Sequence, residues 1–173
     1  MRPWVNGLEA RGFRATAVDL PVRKAEAAVS AYRDAADADA DTTIGGHSYG
    51  GRVASLLAAE AATDVAGLIL LSYPLHRPGQ PDWQVRSVHW PLLRCPVLFL
   101  SGESDPFASI DLLRRAVSER LPTAALVTWP RVGHGLLPVR DEAIEWMAGF
   151  LDGLRPDAQQ TAEAPGAGST VRD

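Results

Sequence analysis

One cysteine, Cys95, is all that the chain carries, and a lone thiol excludes an internal disulfide. Long apolar runs are missing too: none reaches the length needed to span a membrane. The opening Met1-Arg2-Pro3-Trp4 lacks the apolar core of a secretion signal. These absences favour a cytoplasmic protein with no membrane partner. Positive charge is in short supply, since the net charge is −4, so nothing points to nucleic acid or an anionic surface as a partner. The four histidines have no cysteine or acidic cluster at ligand spacing beside them, so no metal is expected.

What is present is ordinary globular material. Apolar residues make up 46% of 173 positions, enough for one domain with a real core. Beyond Arg155 the composition shifts to Pro, Ala, Gly, Gln and Thr, which reads as a disordered tail. The expected division is a domain over 1–154 and a tail over 155–173.

Periodicity predicts the elements. Trp4, Val5 and Leu8 mark a short helix ended by Gly12. Arg14 to Leu20 alternates and stops at Pro21, the pattern of a strand. Val22 to Asp37 is an amphipathic helix through Ala25, Ala28, Val29 and Tyr32. A strand through Thr42-Thr43-Ile44 and a helix from Arg52 to Ala62 flank a glycine-rich turn. Gly67–Tyr73, Pro96–Ser101 and Ala124–Trp129 are short apolar runs typical of parallel strands buried on both faces. Helices are predicted over Asp111–Leu121 and Glu142–Leu154, and Pro74–Arg94 reads as an irregular connection with one turn of helix. Alternating strands and helices imply an α/β fold: a mostly parallel, doubly wound sheet with helices on both faces.

Ligands in such sheets sit at the carboxyl ends of strands. The glycine-rich turn, Gly45-Gly46-His47-Ser48-Tyr49-Gly50-Gly51, contains G-x-S-x-G as Gly46, Ser48 and Gly50. A serine on so sharp a turn needs a strained backbone, and glycines two residues either side avoid a collision. The helix behind it offers free N–H groups to a developing anion, Tyr49 supplying one. Asp105 follows the strand ending near Leu100, and His134 follows the strand ending at Trp129. Ser48 would act as nucleophile, His134 as its base, and Asp105 as the group that fixes the imidazole. Taken singly, Asp105 reads as a turn residue before Pro106 and His134 as a loop residue between glycines; Glu103 is a rival for the acid. Glycines 133 and 135 are expected to let the histidine loop swing over the serine.

Other polar residues carry weaker signals. His76 and His89 read as structural or pocket-lining groups, and His47 as packing or hydrogen-bonding beneath the turn. Arg52, Arg77 and Arg86 read as solvated or salt-bridged surface groups, and Cys95 as a buried thiol.

Three stretches carry a family resemblance: Gly45–Arg52; Leu70–Gly79, with its run Tyr73-Pro74-Leu75-His76-Arg77-Pro78-Gly79; and Pro96–Phe107. The chain resembles the α/β-hydrolase superfamily, near its small dienelactone-hydrolase-like members. It is most similar to the small family that also includes a subunit of a eukaryotic histone-acetyltransferase complex. The resemblance covers roughly Trp4 to Leu154 and implies that Ser48, Asp105 and His134 are nucleophile, acid and base. A serine hydrolase is therefore expected, acting without cofactor on a small acyl substrate, a carboxylic ester or related bond, through an acyl-enzyme. The resemblance also implies a strand and a His-Gly-rich loop upstream of the first helix, which would bring the second oxyanion donor. No such stretch precedes Trp4, so a chain truncated at its N-terminus and lacking the first strands is expected. The competing expectation is a non-catalytic α/β-hydrolase-like interaction module. Oligomeric state is not legible.

Overall fold

The computed structural model describes residues 1–36 and 39–155; the tail expected over 155–173 lies, past Arg155, outside the described residues. Four strands form one sheet in the order β1-β2-β3-β4, and every neighbouring pair is parallel. They are β1 (Thr43–His47), β2 (Gly67–Leu71), β3 (Val97–Gly102) and β4 (Ala125–Trp129). The helices are α1 (Arg2–Glu9), α2 (Ala25–Ala36), α3 (Tyr49–Ala58), the single turn α4 (Gln84–Ser87), α5 (Ile110–Arg120) and α6 (Arg140–Gly153).

The central strands explain their own composition. All residues of β2 and β3 are buried, as strands covered on both faces must be. Side chains alternate between two cores because strand side chains point to opposite faces in turn. Leu68, Leu70, Val97 and Phe99 pack with α2, α3 and α5, along with Trp83 and Trp90 of the β2–β3 connection. Ile69, Leu71, Leu98 and Leu100 pack on the other side with Trp4 of α1 and Ile144 and Met147 of α6.

The segment Arg14 to Leu20 is not the strand that its alternation suggests; it is irregular and partly exposed. The reason lies at the outer edge of β1. Thr42 accepts from Ala66 N–H, and Ser48 N–H donates to Leu71, so residues in phase with these face β2. Gly45 is out of phase and faces outward, where the Tyr32 hydroxyl occupies it. That hydroxyl donates to the Gly45 carbonyl at 2.7 Å and accepts from the Gly45 N–H at 3.2 Å. With its middle capped by a side chain, β1 offers the 14–20 segment no ladder to join. That segment is instead held at its end, where the Tyr49 hydroxyl donates to the Pro21 carbonyl at 3.0 Å.

Boundaries also move at the serine turn. β1 runs on to His47 and α3 starts at Tyr49, leaving Ser48 as the single residue between strand and helix. Among the described residues, no helix is long and apolar enough to cross a membrane.

Candidate active site

Ser48 has φ 52° and ψ −113°, outside the conformations that a side chain ordinarily allows. Strain of this kind costs about 1–3 kcal/mol and persists only where surroundings enforce it. The enforcement is visible. A Cβ on Gly46 would lie 2.7 Å from the Gly50 carbonyl carbon, and one on Gly51 would lie 2.7 Å from the Gly46 carbonyl oxygen. Strand and helix touch there, backbone to backbone. Gly50, the second glycine of the motif, enters that contact through its backbone alone: a Cβ there meets nothing within 4 Å. The expected collision falls one residue later, because Gly50 turns outward on the first turn of α3 while Gly51 turns under it.

Asp105 lies just past β3 and is 4% exposed. Its Oδ1 accepts the Phe107 N–H at 2.8 Å, so it is a turn residue, and both its oxygens also meet His134. His134 Nδ1 is 2.8 Å from Asp105 Oδ2, and His134 Nε2 is 2.8 Å from Ser48 Oγ. A carboxylate can only accept, so Nδ1 carries the proton and Nε2 is free to accept from the serine hydroxyl. Glu103, the rival acid, turns elsewhere: it accepts from Thr128 Oγ1 at 2.8 Å and Arg114 Nη2 at 2.9 Å. Tyr49 is the first residue of α3, so its N–H is among the donors a helix leaves free.

The loop that brings His134 back over the sheet depends on a glycine other than its neighbours. Additional side chains at Gly133 and Gly135 would meet little or nothing, whereas a Cβ on Gly102 would lie 2.1 Å from the Val132 carbonyl oxygen. The His134 loop crosses directly over the end of β3, and Ser104 N–H donates to Val132 at 2.9 Å.

The remaining polar residues are mostly structural. His76 Nδ1–H donates to the Arg77 carbonyl and Nε2 accepts from Ser109 N–H, each at 2.9 Å, tying the Tyr73–Gly79 run to the start of α5. His89 is buried and pairs with Ser55 Oγ at 2.9 Å. Arg52 is salt-bridged, as expected, whereas Arg86 bonds main-chain carbonyls and departs from the expected surface group. The Arg52 side chain is 15% exposed and pairs with Glu26, and Arg86 Nη1 donates to the Pro74 carbonyl at 2.8 Å. Arg86 thereby cross-links the β2–β3 connection, while Arg52 joins α3 to α2. Cys95 is half-buried rather than buried, and its partial burial pushes the thiol pKa up.

At the outer edge of β1, between it and the 14–20 segment, lies a cleft of about 250 Å³ lined in part by Met1, Leu20, Tyr32, Gly45, His47 and Tyr49; Ser48 itself does not line it.

With this geometry in view, a match to known families is informative: residues 14–149 match the model of the alpha/beta hydrolase domain. The chain belongs to that family. Solved structures agree on the fold. A pyrethroid hydrolase from Sphingobium faniae superposes with a TM-score of 0.66 at 21% identity, covering 87% of this chain and 91% of that one. A monoacylglycerol lipase from Paleococcus ferrophilus gives 0.65 at 12% identity, covering 77% of each. A puromycin hydrolase gives 0.55 at 18% identity; 73% of this chain is covered, but it spans only 24% of that protein. At these identities the likeness establishes the α/β-hydrolase fold. In this chain the Ser48 turn, the Asp105 loop and the His134 loop each follow the carboxyl end of a strand of the sheet, the edge at which open α/β sheets generally bind ligands.

Proposed function

We propose that this alpha/beta hydrolase is a serine hydrolase that cleaves a carboxylic ester or related acyl bond through an acyl-enzyme. The observation that carries the reading is the unbroken relay: Ser48 Oγ to His134 Nε2 at 2.8 Å, and His134 Nδ1 to Asp105 at 2.8 Å. His134 Nε2 takes the hydroxyl proton as Ser48 Oγ bonds to the acyl carbon, and the carbonyl electron pair moves onto its oxygen. The Tyr49 N–H and the positive end of α3 stabilise that oxyanion. When the pair returns, the bond to the leaving oxygen breaks and the imidazolium delivers its proton to that oxygen. Water then repeats the sequence on the acyl-enzyme, releasing the acid and restoring the serine. Asp105 keeps the proton on Nδ1 and stabilises the imidazolium. No cofactor takes part.

The resemblance to small dienelactone-hydrolase-like proteins and the short β2–β3 connection support a small substrate in an open site. A single cysteine supports action in the cytoplasm. A fluorophosphonate probe tests the reading, because only an activated serine reacts with it. Labelling should occur on Ser48, vanish in Ser48→Ala and slow by orders of magnitude in His134→Ala. Absence of labelling in the unaltered chain would reject it.

A further inference from the structure

We infer that His47 is a positioning residue that holds the main chain of His134 in reach of Ser48. The inference rests on the roles proposed above for Ser48 and His134. Its observation is separate from theirs: His47 Nε2 lies 2.9 Å from the backbone carbonyl oxygen of His134.

The need for such a link follows from the sheet order. Ser48 follows β1 and His134 follows β4, the two opposite edges of the four-stranded sheet. Through the sheet, the two residues are connected only by way of β2 and β3. The ring of His134 is fixed at both nitrogens by the relay itself, but those bonds must change during a reaction. What holds the ring in the meantime is its main chain. That main chain is tied at two carbonyls. Val132 accepts from Ser104 N–H past β3, and His134 accepts from His47 at the end of β1. The second tie joins the residue before the nucleophile directly to the base.

The chemistry of the tie fixes the state of His47. A carbonyl only accepts, so Nε2 must carry a proton, and the neutral ring then leaves Nδ1 bare. The charged or titratable groups facing His47 are His134, Asp105 and the amino group of Met1. Burial holds its pKa below the ordinary value, with the His134 carbonyl acting the other way. The two imidazole centroids are 5.1 Å apart. A neutral His47 therefore supplies a donor without placing a second cation beside the ring that becomes imidazolium.

Three variants and one spectrum test this, with p-nitrophenyl acetate as substrate and a fluorophosphonate as label. His47→Phe keeps the ring and removes the donor. It should lower kcat and the labelling rate by roughly 10- to 100-fold, as expected when a reacting group is displaced by a fraction of an ångström to one ångström. KM should stay within about two-fold, since on this reading the tie serves the base rather than substrate binding. His47→Gln, which restores an N–H donor, should recover most of the rate. Unchanged kcat in His47→Phe, or equal loss in both variants, overturns the inference. Should His47→Phe fail to fold, nitrogen NMR of the unaltered chain decides: the inference requires the His47 proton on Nε2 at pH 7, and a proton on Nδ1 instead overturns it. Ser48→Ala separates the two levels. Label surviving in Ser48→Ala removes the proposed function; Ser48-dependent label insensitive to His47→Phe removes only the positioning role.

Discussion

Gly102 and Val132 touch so closely that a single methyl group would separate them: a Cβ on Gly102 would lie 2.1 Å from the Val132 carbonyl oxygen and 2.5 Å from that of Gly133. Both neighbours are backbone and neither can rotate away. Gly102→Ala must therefore push the His134 loop off the end of β3, lengthening the 2.8 Å contact between His134 and Ser48. Overpacking of this kind costs about 1–3 kcal/mol, and on the proposed mechanism displacement of His134 costs further activity. The expected result is a lower melting temperature with a loss of roughly 100-fold or more in ester hydrolysis. Gly135→Ala, where a Cβ meets nothing within 4 Å, is the control and should melt as the unaltered chain does. Equal behaviour of the two variants would show that the loop yields without cost.

Two carboxylates follow β3, and they should separate cleanly on substitution. Asp105→Asn replaces an acceptor with a group that can present N–H to His134 and favour the wrong tautomer. A loss of roughly 10³- to 10⁴-fold in kcat is expected, the scale seen when a triad acid is made neutral. Glu103→Gln removes a charge from a carboxylate already engaged by Thr128 and the exposed Arg114. Activity should stay within about three-fold of the starting value. Steady-state rates on one ester measure both, and a larger loss in Glu103→Gln than in Asp105→Asn would reverse the assignment of the acid.

These two cases mark where the sequence was legible and where it was not. Serine, aspartate and histidine, each past its own apolar run, read out the carboxyl edge of the sheet, because strand ends are encoded locally by composition. Strand 14–20 misled because alternation records which residues face which side, not whether a partner strand stands alongside. Tyr32, distant in sequence, took the outer edge of β1. Gly50 misled for a related reason. The motif fixes a glycine by spacing, while the collision depends on which way the first turn of α3 rotates. Gly102 and His47 serve contacts between segments about 30 and 87 residues apart, which no local pattern announces.

His89 gives a pH dependence of known sign. It is buried against Ser55, faces Arg52, Arg120 and Glu26, and its pKa is lowered from 6.5 to about 4 by burial first and Arg52 second. Unfolded, the ring takes a proton near its ordinary value; folded, it refuses one until about pH 4. Between those values the unfolded chain holds more protons, so stability rises with pH across the window. The contribution is complete above 6.5 and fades as pH falls toward 4, about 3 kcal/mol at most. His47, also lowered by burial, acts in the same direction. Melting temperature should thus drop more between pH 7 and pH 4.5 in the unaltered chain than in His89→Gln, which keeps a donor toward Ser55. Identical drops would place the acid sensitivity elsewhere.

The serine turn offers a prediction in which the motif and the geometry disagree. Read as a motif, Gly46 and Gly50 are equivalent guards of Ser48, and Gly51 is incidental. Read as contacts, Gly46 and Gly51 press β1 against α3, at 2.7 Å for either added Cβ, and Gly50 faces open space. Gly46→Ala and Gly51→Ala should each force strand and helix apart at the point that holds Ser48 at φ 52°. Both should lower the melting temperature by several degrees and abolish fluorophosphonate labelling. Gly50→Ala should fold at least as well as the parent, since alanine is the better residue by up to about 1 kcal/mol inside a helix. Its methyl group would project beside the cleft that Gly50 helps to line, so any change should appear in substrate preference rather than stability. Thermal melts of the three variants decide between the two readings. Gly50→Ala as unstable as Gly46→Ala would restore the motif spacing as the physical constraint.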